Sequence, residues 1–118
     1  MKAVYKLSYM TIDGIGYFEP EDKMTYDEAM EWAKTRGLRL LTRGEWCDLY
    51  DHNEEFRKSC QDTYYWTASV YFDTSYTYSV WYFSGSSGHI YKNSCNMSYT
   101  VRAVLAEPNG HQQNVGTC

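Results

Sequence analysis

Two capping boxes constrain the fold of this chain more than any other feature of its sequence. Thr25 lies three residues before Glu28, and Thr42 lies three residues before Glu45. At this spacing each side chain satisfies a backbone amide of the other residue, which is typical of the first turn of an α-helix. Gly37 lies between the two boxes, where a glycine favours the end of a helix. The pattern therefore predicts two helices joined by a short connection.

Apolar residues at helical spacing give each predicted helix one face that can join a core. In the first helix they are Tyr26, Ala29, Met30 and Ala33, and in the second they are Trp46, Leu49 and Tyr50. Three leucines between the helices predict a return of the chain through the core, and they are Leu38, Leu40 and Leu41. Residues 51–62 are polar and charged, so we expect a helix end followed by a surface loop there.

The remaining segments predict short strands, because their polar and apolar residues alternate. Residues 3–9 form the first predicted strand, and Asp13-Gly14 marks a turn after it. Further strands are predicted at residues 65–69, 80–83, 89–91 and 98–105, whereas residues 71–79 are expected to form a loop or an irregular strand. In the last strand we expect one shared face, made by Tyr99, Val101, Ala103 and Leu105.

This order of elements indicates an α+β domain with its helices packed to one side of a small, largely antiparallel sheet. We expect a single domain at residues 1–106 and a polar tail at residues 107–118. All four tryptophans, Trp32, Trp46, Trp66 and Trp81, are expected to pack in the core or at its edge. For Trp81 the strand alternation leaves it open whether this residue or Tyr82 faces outwards.

Composition and charge exclude several classes of function. The net charge of -4 comes without a basic stripe, so no nucleic-acid partner is expected. No run of 18 apolar residues occurs, and the first ten residues do not resemble a signal peptide, so we expect no membrane insertion and a cytoplasmic or virion-associated protein. The four cysteines lack metal-site spacing, and we expect reduced thiols, with a Cys47–Cys60 bridge as the alternative.

No catalytic or metal-binding constellation is visible. His52, His89 and His111 each lack the pattern of a paired nucleophile. The Glu107-Pro108-Asn109 tripeptide is known from calcium-dependent lectins, but few further carboxylates lie near it to build a calcium cage. We therefore expect a protein without enzymatic activity, cofactor or metal.

The segment of residues 63–99 has the composition of a binding surface. It holds eight tyrosines and eight serines among its 37 residues, and its only charged residues are Asp73 and Lys92. Tyrosine supplies rigid contact area, and serine, asparagine and glycine supply adaptable hydrogen bonds, as in antibody paratopes. A tyrosine-rich β-sheet is the alternative, since aromatic residues favour strands, although that preference does not account for the serines.

Four short segments, in this order, resemble the C-type lectin-fold domains of the formylglycine-generating-enzyme-like and Fibrobacter-major-domain-like groups. They are RLLTRGEW at residues 39–46, YWTAS at residues 65–69, WYF at residues 81–83 and YTVR at residues 99–102. The first departs from the family's RLPTxxEW at Leu41, where the family has proline. The resemblance implies paired terminal strands, near residues 4–7 and 101–104, two flanking helices and a loop-rich binding face.

Within those groups the chain is similar to the variable proteins of diversity-generating retroelements, which include viral and phage proteins. There, randomised adenines turn AAC-type codons into a limited set of residues that excludes Lys, Glu, Gln, Trp and Met. All of residues 71–79, 84–91 and 93–96 belong to the accessible set. Loops use many of the same residues, so the codon pattern is informative only together with the fold. The resemblance implies that the residues outside the set are invariant scaffold, namely Trp66, Trp81, Lys92 and Met97.

The function that follows is non-catalytic recognition of a protein or cell-surface target through a hypervariable face. The predicted contact residues are Tyr71, Phe72, Asp73, Ser75, Tyr76, Tyr78, Tyr82, Ser84, His89, Tyr91, Asn93, Ser94 and Asn96. Display on an oligomer or a particle would strengthen such binding through effective concentration. The alternative function is a fixed structural or self-assembly module of a virion or surface particle, without a diversified site.

Overall fold

A computed structural model describes residues 7–72, 78–93 and 97–106. Its elements, in chain order, are β1 (Leu7–Ile12), β2 (Ile15–Pro20), α1 (Tyr26–Lys34), β3 (Leu38–Leu40), α2 (Arg43–His52), α3 (Glu54–Ser59), β4 (Tyr64–Phe72), β5 (Tyr78–Ser84), β6 (Ile90–Asn93) and β7 (Ala103–Leu105). Two antiparallel sheets are built from these strands, one in the order β1-β2-β7-β3 and the other in the order β4-β5-β6. The tail predicted at residues 107–118 lies outside the described residues.

The predicted Asp13-Gly14 turn is confirmed, and it joins β1 to β2. Asp13 has φ 53° and Gly14 has φ 80°, a conformation that this dipeptide adopts readily in two-residue hairpin loops. The hairpin folds β1 to the edge of the sheet, and β2 becomes the neighbour of β7 through Phe18 and Ala103. The predicted pairing of residues 4–7 with residues 101–104 is therefore wrong for Leu7, which pairs with Pro20.

Both predicted capping boxes are confirmed at the starts of α1 and α2. In α2, the backbone amide of Glu45 donates to Thr42 Oγ1 at 3.1 Å, and the amide of Thr42 donates to Glu45 Oε1 at 2.8 Å. The predicted apolar face of α1 is wrong at one position, because Met30 is exposed and Trp32 is buried instead.

The third helix, α3, lies where a surface loop was predicted. Asn53 caps it by accepting a hydrogen bond from the amide of Phe56 at 3.0 Å, and the Phe56 side chain is fully buried. The sequence pattern does not predict this helix, because one apolar residue among six cannot show helical periodicity.

The predicted last strand is wrong in its extent and in its single apolar face. Only Ala103–Leu105 forms β7, while Tyr99 and Thr100 make isolated bridges to Met24 and Tyr65. All side chains from residue 99 to residue 104 are buried, because this segment runs between two apolar clusters. Leu105, which was expected to share the buried face, is 68% exposed.

A buried ion pair joins distant parts of the fold. Arg102 is fully buried, and its Nε donates to the Glu19 carboxylate, which is also buried. The other guanidinium nitrogens donate to the Ser59 hydroxyl at 2.9 Å and to its carbonyl at 3.1 Å. Four aromatic rings lie 5.0–5.9 Å from the guanidinium carbon, and they belong to Tyr17, Trp46, Phe56 and Tyr65. Arg102 thus connects β2, the end of α3 and the segment before β7.

Candidate functional site

The three-stranded sheet β4-β5-β6 has two faces with different chemistry. Successive residues of a strand point to opposite faces, and cross-strand partners share a face. In β5, Tyr82 pairs with Tyr91 of β6 on one face, whereas Trp81 pairs with Lys92 on the other. Trp81 and Tyr82 are both half-buried. The alternative left open by the strand alternation is therefore resolved: each of the two side chains is partly exposed, on its own face of the sheet.

One face carries Tyr64, Tyr82 and Tyr91, and the ring of Tyr99, from the segment before β7, packs against Tyr64 and Tyr82. We call these four residues the tyrosine face. The Tyr82 ring lies at the centre, with ring centroids 5.1 Å from Tyr64, 5.5 Å from Tyr91 and 4.7 Å from Tyr99. Aromatic pairs at these separations are each worth about 0.5–1.5 kcal/mol beyond the area that they bury. The four rings therefore support one another in a fixed arrangement.

The depth of these rings in the protein decides their roles. Tyr64 is 44% exposed and Tyr91 is 41% exposed, whereas Tyr99 is only 8% exposed and packs on Trp66 with centroids 4.6 Å apart. Burial, together with the neighbouring hydroxyl of Tyr99, raises the pKa of Tyr82 to about 12. The Tyr82 hydroxyl therefore keeps its proton to a higher pH than that of an unperturbed tyrosine.

The structure brings some predicted contact residues to the tyrosine face and leaves others elsewhere. Tyr82 and Tyr91 lie on it, and the exposed His89 ring lies 6.4 Å from the Tyr91 ring. Tyr71 is 41% exposed on the opposite face. The inclusion of Ser84 is a prediction that the structure contradicts, since Ser84 is 4% exposed and its hydroxyl accepts from the Ser87 amide in the following turn.

The other predicted contact residues cannot be assigned to a face by their side chains. Phe72, Tyr78 and Asn93 are strand residues whose side chains lie outside the described part of the structure. The remaining predicted residues fall outside the described residues altogether, and they are Asp73, Ser75, Tyr76, Ser94 and Asn96.

Sequence reasoning missed Tyr64 as a surface residue and missed a cluster of cations and rings on the opposite face. We call this the cation–aromatic cluster; its members are Arg43, Tyr71, Trp81 and Lys92. Lys92 Nζ lies 3.5 Å from the Tyr71 ring centroid and 5.5 Å from that of Trp81. The Arg43 guanidinium carbon lies 4.3 Å from the Trp81 centroid. The period-two alternation of β5 and β6 could have placed Trp81 with Lys92, but Arg43 comes from α2, and its position depends on tertiary packing.

Side chains that could bind a metal ion do not converge within the described parts of the chain. No three histidine, cysteine or acidic side chains there are close enough to hold a metal ion. Cys47 and Cys60 are not joined by a disulfide, so the alternative of a bridge between them is wrong. Burial raises the pKa of the Cys60 thiol, which disfavours the reactive thiolate.

The fold can be compared with known proteins. No protein-family model matches the chain, and no curated protein sequence matches it. The crystal structure of the natural killer cell receptor Ly49C superposes with a TM-score of 0.61 at 11% sequence identity, covering 86% of this chain and 95% of that chain. The fold is C-type lectin-like.

The C-type lectin-like fold confirms the predicted fold class, including its α+β architecture and antiparallel sheets. At 11% identity the likeness shows the fold alone and assigns no ligand. No helix within the described ranges is long and apolar enough to cross a membrane.

Proposed function

We propose that this protein is a non-catalytic recognition module that binds a protein or cell-surface target through the tyrosine face. The observation that carries the proposal is the exposure of Tyr64 and Tyr91 around a supported Tyr82. Solvent-exposed tyrosines held by other rings lose little side-chain entropy when they bind, which is why paratopes use them. Residues 1–106 would form the one domain that carries this face.

The ring arrangement supports recognition over a purely structural role. A core aromatic residue is buried on all sides, as Trp66 and Tyr65 are in this protein, each with 0% exposure. Tyr64 and Tyr91 instead expose over 40% of their surface on the same side of one sheet, so they would anchor a partner as binding hot spots do. Affinity would depend on apolar contact and hydroxyl hydrogen bonds and would change little with salt, because the rings are uncharged.

We further propose that the chain is a variable protein of a diversity-generating retroelement. Support comes from the accessible-codon composition of residues 71–79, 84–91 and 93–96 and from the C-type lectin-like fold. The test is genomic: a reverse-transcriptase gene and a near-identical template repeat should lie beside this gene, with mismatches confined to template adenines. A repeat whose mismatches ignore adenine would exclude this origin.

The recognition proposal is tested by binding of a tetramerised form of the chain to surface preparations of candidate host cells, with a Tyr64→Ala/Tyr91→Ala variant beside it. Tyr82 stays in place, so the ring that contacts Tyr99 and Trp66 is kept and the fold should be retained. The expected result is loss of binding in the variant.

The matched control is Tyr9→Ala, which removes an exposed tyrosine from β1, in the other sheet; Tyr9 is 59% exposed. This control should bind as the parent does. Equal binding by all three proteins would refute the tyrosine face as the recognition surface. Self-association of the parent that is abolished in the Tyr64→Ala/Tyr91→Ala variant would favour a self-assembly module instead.

A further inference from the structure

A cavity of about 500 Å³ lies between the turn of the β1–β2 hairpin, α2 and the strands β3 and β7. Its aliphatic walls are Ile15, Leu41, Leu49, Val104 and Leu105. Small-molecule sites have volumes of about 300–1,000 Å³ and mostly apolar walls with a few polar groups, so this cavity has the size and the walls of such a site. The residues of the tyrosine face do not line it, and the two sites are therefore separate.

Two of the aliphatic walls remain in contact with solvent after folding. Ile15 is 50% exposed and Leu105 is 68% exposed, whereas Leu41 and Val104 are buried. Among the side chains that the structure describes, Ile15 and Leu105 are the only exposed residues of the leucine, isoleucine and valine types. Both line the same cavity, so a ligand with an aliphatic part would remove from water the apolar surface that folding leaves exposed there.

Tyr17 presents an unsatisfied hydroxyl group to this cavity. Its side chain lines the cavity and is 2% exposed, yet its hydroxyl forms no hydrogen bond with a described residue. The hydroxyl oxygen is not enclosed by protein either, because Trp46 Nε1 is the only fully enclosed side-chain nitrogen or oxygen without a partner in the described ranges. The Tyr17 hydroxyl therefore opens to the cavity, where a ligand can supply the missing hydrogen-bond partner.

Two carboxylates of α2 also line the cavity, and one of them is open to a ligand. Arg39 donates to both carboxylate oxygens of Glu45 at 2.8 Å, so these two charges balance each other. Asp48 follows Glu45 by three residues, which places the two side chains next to each other on α2. The Asp48 carboxylate accepts no hydrogen bond from a described residue and lies 3.9 Å from His52 Nε2, which is charged only when protonated.

The Tyr17 hydroxyl lies within electrostatic reach of the same helix. Burial is the largest cause that raises the pKa of Tyr17; Arg102 opposes the increase, and the Glu45 carboxylate adds to it. Glu45 is thus the neighbour of both Asp48 and the Tyr17 hydroxyl, and we call these three residues the acceptor wall. A carboxylate and a phenol oxygen both accept hydrogen bonds, so the acceptor wall matches a ligand group that donates them.

We propose that this cavity binds a small amphiphilic amine, with its ammonium group at the acceptor wall and its aliphatic part against Ile15 and Leu105. An ammonium group has three donors and no acceptor, so it fits a wall whose open polar atoms accept hydrogen bonds. A ligand carboxylate on the same aliphatic chain would instead meet Asp48 with like charge. A ligand hydroxyl would gain a hydrogen bond without the attraction between opposite charges.

The experiment titrates the chain with n-hexylamine, n-hexanol and hexanoate, which share one aliphatic chain, and follows backbone amide shifts by NMR. Hexylamine should bind most tightly and hexanoate most weakly, with the largest shifts at Ile15 and Leu105. Asp48→Asn should weaken hexylamine binding about two- to five-fold, the range of an exposed ion pair, and should leave hexanol binding unchanged. Tyr17→Phe should weaken hexylamine binding about two- to ten-fold without lowering the melting temperature, because the hydroxyl has no partner among the described residues.

Two controls separate this cavity from general charge and from the proposed function. Asp51→Asn removes the same charge from an exposed position of α2 that does not line the cavity, and it should leave hexylamine binding unchanged. The Tyr64→Ala/Tyr91→Ala variant should also bind hexylamine as the parent does. Hexanoate binding as tight as that of hexylamine, or equal effects of Asp48→Asn and Asp51→Asn, would overturn the proposal. Displacement of hexylamine by N-acetyl-lysine amide at a concentration below that of hexylamine itself would assign the cavity to a lysine side chain of a partner and would also overturn it.

Discussion

Replacement of Arg102 by methionine should destabilise the protein more than any surface change of the same size. Methionine keeps an unbranched apolar stem among the surrounding rings, but it leaves the buried Glu19 carboxylate without its cation. Breaking a buried pair in this way costs about 3–5 kcal/mol. Since a domain of this size has a free energy of unfolding of about 5–15 kcal/mol, the loss is a large share of the total.

Urea unfolding followed by circular dichroism measures the effect directly. With an m-value of about 2 kcal/mol per molar urea, a loss of about 4 kcal/mol moves the midpoint down by about 2 M. Arg36→Met is the matched control, because it removes an exposed guanidinium lying 5.1 Å from the Trp32 ring centroid, and it should cost less than about 1 kcal/mol.

A double-mutant cycle with Glu19→Gln tests whether the loss of stability in Arg102→Met comes from the unpaired Glu19 carboxylate. If Arg102→Met lowers the free energy of unfolding because a buried carboxylate is left unpaired, the Glu19→Gln/Arg102→Met variant should be more stable than Arg102→Met alone. If the two single costs simply add in the double variant, the charges are not coupled, and the assigned role of the pair is refuted.

Two further predictions concern Tyr65 and Gly85. Burial raises the pKa of Tyr65 to about 12 from 10.0, so between these pH values the folded state keeps a proton that the unfolded state has lost. The contribution of Tyr65 to the free energy of unfolding is therefore fully present below pH 10. It should fall by as much as about 1.4 kcal/mol per pH unit between pH 10 and pH 12. Urea midpoints at pH 9, 10 and 11 should fall less steeply in Tyr65→Phe, and identical slopes would contradict the assignment. For Gly85→Ala, the added Cβ would lie 2.2 Å from the Gln61 carbonyl oxygen, and we expect a loss of about 1–3 kcal/mol by thermal melting. The control Ser86→Ala, at the exposed neighbour, loses only a hydroxyl contact of 3.3 Å with Ser84 and should cost less than about 1 kcal/mol.

Local features of the fold could be predicted from the sequence because their causes lie within a few residues. Each capping box spans four residues, and the Asp13-Gly14 turn needs only two residues that tolerate positive φ. The fold class followed from short segments in a fixed order, which limits the architectures that can accommodate them. The abundance of tyrosine and serine in residues 63–99 also predicted a binding surface in the segment that forms β4, β5 and β6.

The tertiary structure decided which side chains meet. Arg102 and Glu19 are 83 residues apart in sequence, and no local pattern shows that both are buried and paired. The alternation of β5 separates Trp81 from Tyr82 but does not say what covers either face; packing of Tyr99 on one side and the position of Arg43 on the other made two different surfaces. Ser84, in the same strand, was buried by the turn that follows it. Strand periodicity gives the direction of a side chain, and only long-range packing determines whether solvent or protein lies there.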